Sequence, residues 1–121
     1  MLTRSTQVFT VYHVHTPQSV WQPPTDVYET ETDLIVQIEV AGMRDGHFHL
    51  SAQDRLLIVY GARADPRLKL SGALERRAYH QMEIDVGDFR AEIELPTPVD
   101  TASVRADYDD GFLRITLPKL R

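Results

Sequence analysis

Apolar residues in this chain recur at every second position over several short runs, a spacing that suits the two faces of a β-strand and not the 3.6-residue turn of a helix. The clearest run places Leu34, Val36, Ile38 and Val40 on one side and Gln37 and Glu39 on the other. Phe89, Ala91, Ile93 and Leu95 alternate with Arg90, Glu92 and Glu94, and Val104, Ala106 and Tyr108 alternate with Arg105 and Asp107. Residues 112–117 point Leu113, Ile115 and Leu117 one way. Residues 56–60 are apolar throughout and rich in β-formers, which predicts a strand covered on both faces near the middle of a sandwich.

Turn residues separate these runs: Pro23-Pro24, Ala41-Gly42, Gly61, Pro96 with Pro98, and Asp110-Gly111. Asp-Gly between alternating segments predicts a two-residue type I′ hairpin joining 104–108 to 112–117. Leu68, Leu70 and Leu74 lie in a stretch broken by Pro66 and Gly72, so little helix is expected. The irregular stretch 62–77 is long for a compact domain, and 78–82 reads as one more short strand after it. Short strands with turn signals between them predict an all-β fold, an antiparallel β-sandwich, in one domain of 121 residues.

The composition closes off most catalytic chemistry. There is no cysteine, which removes thiolate catalysis and Cys-ligated metals and fits a reducing, cytoplasmic setting. A net charge of −5 opposes binding to phosphate backbones, so nucleic acid is not an expected partner. No apolar run is long enough for a membrane span, and the N-terminus has no basic-then-apolar secretory pattern. No serine stands in a G-x-S-x-G elbow, and no glycine-rich loop ends in Lys-Ser or Lys-Thr to cradle phosphate. His13 with His15, and His47 with His49, lie two apart, but only His80 remains as a further imidazole. No metal site or other cofactor is therefore expected. Asp107, Asp109 and Asp110 fit a hairpin better than a calcium loop, whose fifth and twelfth positions would fall on Gly111 and Pro118. Glu92 and Glu94 lie opposite the apolar side of their strand and read as a solvated face rather than an acid–base pair.

One segment stands apart. Val8, Phe9, Thr10, Val11, Tyr12, His13 and Val14 combine high β propensity with no proline, no glycine and no formal charge. Such a window is either an ordinary first strand or an apolar arm that captures exposed segments of other chains.

The run Ala106-Asp107-Tyr108-Asp109-Asp110-Gly111-Phe112-Leu113, followed by Arg114-Ile115-Thr116-Leu117-Pro118-Lys119, resembles the A-x-x-x-n-G-x-L and L-P-K signature of the small heat-shock protein (α-crystallin) family. Upstream, Pro24-Thr25-Asp26-Val27-Tyr28-Glu29, Val40-Ala41-Gly42-Met43, Leu56-Leu57-Ile58-Val59-Tyr60-Gly61 and Glu83-Ile84-Asp85-Val86-Gly87-Asp88-Phe89 match in order. The resemblance covers 21–119, with 1–20 as a short N-terminal arm and 120–121 as a residual terminus. It implies an immunoglobulin-like sandwich, the α-crystallin domain, and an ATP-independent holdase that keeps unfolding proteins from aggregating. It further implies a homodimer in which Tyr79, His80, Gln81, Met82 and Glu83 cross to the partner's strand containing Val27. A groove that receives a C-terminal I-x-I or V-x-I tail in the family would fall at Phe48, Leu50, Val104 and Ala106.

Three departures qualify what the resemblance carries. The sequence ends Lys119-Leu120-Arg121 without such a tail and its arm is short, so assembly beyond a dimer is expected to be weak. Where the family often has F-x-R, this chain has Phe89-Arg90-Ala91, and an intersubunit ion pair is not carried over. The rival on the same fold is a CS-type co-chaperone domain that binds a folded chaperone, against which the intact 106–113 motif argues. The arm yields a test of its own: replacing Phe9, Val11 and Tyr12 by Ser is expected to weaken client capture while barely moving the melting temperature. A stability loss of several kcal/mol, the size associated with emptied core positions, would instead make the segment core.

Overall fold

A computed structural model describes residues 20–43, 47–65 and 76–120. They form two antiparallel sheets built from β1 (Thr25–Glu29), β2 (Asp33–Glu39), β3 (Phe48–Gln53), β4 (Leu56–Arg63), β5 (Gly87–Glu94), β6 (Arg105–Asp109) and β7 (Phe112–Pro118). One sheet runs β1-β2-β7-β6 and the other β3-β4-β5. The alternation decides which faces meet. Leu34, Val36 and Ile38 of β2 lie beside Leu117, Ile115 and Leu113 of β7, and all six are buried. Leu57 and Val59 of β4 lie beside Ile93 and Ala91 of β5 and close the core from the other sheet.

The hairpin forms as its sequence requires. Asp110 and Gly111 both take positive φ, 56° and 87°, between β6 and β7, as a type I′ turn demands. A short 3₁₀ turn, Thr101–Ser103, starts at Asp100, whose side chain accepts from the Ala102 amide at 3.1 Å.

Two expectations about strands need correction. β4 is the middle of its sheet, but only one of its faces is covered: Leu57, Val59 and Gly61 are buried, Ile58 and Tyr60 are half-buried and Leu56 is exposed. The continuous apolar run marks a strand with neighbours on both edges, not one between two layers. The strand expected at 78–82 does not form within the chain, since residues 76–86 join neither sheet. High β propensity makes a strand only where another backbone supplies the ladder.

Four aromatic rings cross the sandwich in a row. Trp21 meets Phe89 edge-on at 5.6 Å, Phe89 lies 6.2 Å from Phe48, and Phe48 lies 5.4 Å from Tyr108. The row depends on Gly61, which pairs across from Phe89. A Cβ there would stand 2.8 Å from the Phe89 ring and 2.9 Å from the His47 carbonyl oxygen, closer than packed atoms approach. Trp21 itself forms a single parallel rung on the outer edge of β5. Its amide donates to the Asp88 carbonyl at 3.0 Å, and its carbonyl accepts from the Arg90 amide at 2.9 Å. Pro23 and Pro24 follow and cannot donate to a further rung.

Gly61→Ala is expected to destabilise the domain by about 1–3 kcal/mol through overpacking against Phe89. Denaturant unfolding of the variant measures it, and an unchanged midpoint would mean that the ring relaxes freely.

Candidate functional site

A sandwich of two open sheets has four edge strands, and their treatment determines where another chain can add. The β5 edge is partly occupied by Trp21. β1, β3 and β6 each have a neighbour on one side only among the described residues.

β1 is the most open of them. Four of its five residues are exposed, and Val27, which faces Val36 across the ladder, remains 41% exposed at the rim of the sandwich. The strand is fixed to the sheet from its far end. Lys119 pairs with Glu29 at 2.7 Å and donates to the Thr30 carbonyl at 2.7 Å, and the Arg114 guanidinium donates to the Tyr28 hydroxyl at 3.1 Å. These contacts hold the backbone of β1 in register while leaving its outer row of amides and carbonyls for another strand.

Residues 76–85 are all exposed. Arg77 donates to the Tyr79 hydroxyl at 2.9 Å and Gln81 donates to Glu83 at 2.7 Å. Beyond the bend at His80, the Gln81–Glu83 contact sets those two side chains on one side and leaves Met82 and Ile84 for the other. Met82 and Ile84 are 60% and 71% exposed. Ile84 was not among the residues singled out from the sequence. The signal was present in the spacing of Met82, Ile84 and Val86, which is that of a strand face.

The third feature is the seam between β3 and β6. Phe48 and Ala106 are buried and belong to the core, whereas Leu50, Ala52 and Val104 are half-buried and pack against it from the rim. The Phe48–Tyr108 ring contact ties the two edges together. Tyr108 also donates through its hydroxyl to the Val40 carbonyl at 2.8 Å and accepts from the Met43 amide at 3.2 Å, anchoring the chain that leaves β2. Thus of the four residues expected to line a groove, Phe48 and Ala106 belong to the core and Leu50 and Val104 are half-buried against it.

Residues 8–14, with Val8, Phe9, Val11, Tyr12 and Val14, lie outside the described residues, as do His13 and His15. His49 is buried and stacks on Tyr60 at 5.0 Å. Among the described residues no three His, Asp or Glu side chains are grouped to hold a metal ion. Arg90 faces solvent and pairs with Glu92 at 2.8 Å, while the next position, Ala91, sits in the core. No helix among the described residues is long and apolar enough to cross a membrane.

Residues 26–121 match the Hsp20/alpha crystallin family, and the chain belongs to it. It is 29% identical over 108 residues to small heat shock protein C4 of Rickettsia felis, covering 89% of this chain and 63% of that protein. It is 28% identical over 109 residues to a 17.9 kDa class II heat shock protein of Glycine max, covering 89% of this chain and 65% of that one. This chain therefore spans less than two thirds of the length of these relatives. Its fold superimposes on heat shock protein 16.0 of Schizosaccharomyces pombe with a TM-score of 0.68 at 24% identity, over 83% of this chain and 88% of that structure.

Proposed function

We propose that this protein is an ATP-independent holdase that binds apolar segments of unfolding proteins and prevents their aggregation in the cytoplasm. The observation that carries this reading is the exposed extended segment 76–85, which presents Tyr79, Met82 and Ile84 without a strand partner in either sheet. Exposed apolar side chains and open edges are the chemistry by which one chain captures another, and they need no nucleotide. Membership in the family supports the same reading. The 21–119 domain acts as the scaffold, and the arm with Phe9, Val11 and Tyr12 contributes to capture.

The working unit is a strand-exchanged homodimer. The segment 78–83 of each copy pairs with β1 of the other, where Val27 marks the open edge. Met82 and Ile84 then leave water against the partner's rim. A two-fold exchange satisfies both segments at once and closes the assembly at two.

Adding the protein to a heat-labile enzyme, with no nucleotide present, is expected to suppress light scattering on heating in proportion to the ratio of the two chains. Unchanged scattering at a several-fold molar excess would reject the holdase reading. For the dimer, proline at Gln81 removes a backbone donor from the crossing segment and disfavours its extended pairing. Gln81→Pro is expected to elute as a monomer in size-exclusion chromatography with light scattering while its far-UV spectrum stays β-rich. A wild-type chain that is monomeric at tens of micromolar would reject the exchange.

A further inference from the structure

Arg63 closes β4 and reaches three separate parts of the chain. Its guanidinium lies 4.5 Å from the centroid of the Trp21 ring. Its Nε donates to the Asp85 carbonyl at 3.0 Å, its Nη2 donates to the same oxygen, and its Nη1 donates to the Ala41 carbonyl at 3.2 Å. Trp21 completes the junction from the other side, since its indole N–H donates to the Gly87 carbonyl at 3.3 Å. Of these acceptors, Asp85 ends the exposed segment and Gly87 is the first residue of β5. Trp21 is the residue through which the N-terminal arm enters the domain. One cation and one indole thus join the root of the arm, the base of the segment and the turn after β2.

We infer that the Trp21–Arg63 junction couples the arm to the 76–86 segment, so that pairing of the segment with a second copy tightens the seating of Trp21 and release of Trp21 loosens the pairing. The physical basis is shared contacts. Asp85 is held by the Arg63 side chain, Gly87 accepts from Trp21 while standing opposite Arg63 in the β4–β5 ladder, and the guanidinium and the indole are each positioned in part by the other. Arginine suits this role better than lysine, because the planar fork donates in two directions while its face lies on the ring. The coupling is reciprocal by thermodynamic necessity: whatever factor dimerisation contributes to Trp21 seating, Trp21 seating returns to dimerisation. The carbonyl of Ala41 adds the turn after β2 to the same junction, so the device is braced against the frame of the domain and not only between two loose ends.

The inference rests on the strand-exchanged dimer proposed above, and one dilution series separates the two. Trp21 is the only tryptophan in the chain, so its emission reads its seating directly. Emission and sedimentation are recorded together as the wild-type protein is diluted. Coupling is expected to give a red shift and greater acrylamide quenching in step with dissociation. Arg63→Met is expected to weaken the dimer by about fivefold or more and to remove the dependence of emission on dissociation. Arg63→Lys, which keeps the charge but not the fork, serves as the second variant and is expected to weaken the dimer likewise if the fork matters. Emission that stays constant while the wild-type dimer dissociates overturns the coupling and leaves the dimer standing. A protein monomeric at every concentration overturns the dimer and the coupling with it.

Discussion

The position of Phe89 is the constraint on which the rest of this domain depends. Its ring is almost wholly buried and meets Trp21 on one side and Phe48 on the other. That is possible only because residue 61, directly across the ladder, has no side chain. Through Phe89 the two ends of the sandwich are connected: the entry of the arm at β5 and the seam between β3 and β6, where Phe48 packs against Tyr108. Interiors packed to this density transmit displacement instead of absorbing it. The aromatic row therefore runs along the β3-β4-β5 sheet and joins the other sheet where Phe48 meets Tyr108.

What could be read from the sequence follows from the kind of interaction each feature needs. The strands of the core were legible because burial on one face imposes a period of two, which is visible in Leu34, Val36, Ile38 and Val40 without knowledge of the partner. The β6–β7 hairpin was legible because positive φ at two successive residues restricts composition. β4 was misread in one respect, since Ile58 and Tyr60 lie on an outer face yet carry the same apolar character as Leu57 and Val59. The segment at 78–82 has strand composition, but a strand is a relation between backbones and one chain supplies only half of it. Arg63 left no trace at all. Its acceptors are main-chain carbonyls, which every residue possesses, and its ring partner lies 42 positions away, a separation that follows from the numbering of Trp21 and Arg63. The family motifs did identify the family, which residues 26–121 match.

The division of labour between core and rim also explains how the chain carries large exposed apolar side chains without loss of its fold. Met82, Ile84 and Tyr79 stand on a segment that contributes nothing to either sheet, so the ladder hydrogen bonds and the core remain complete without it. The segment is attached at its base by polar contacts, among them the guanidinium of Arg63 to the Asp85 carbonyl. Segments held this way belong to the low end of local stability, where elements that must move are found.

The single rung made by Trp21 has a consequence for what the molecule does not become. A β-sheet grows into a fibril when an exposed edge templates the next strand and that strand presents a fresh edge in turn. At β5 the first added rung is supplied by the chain itself, and the residues after it are Pro23 and Pro24, which cannot donate a second. Pairing of this stretch of chain along β5 therefore ends at that rung, and a strand arriving from outside meets Trp21 there in place of an open edge. The domain thus carries, at one point of an otherwise open border, a stopper made from its own chain.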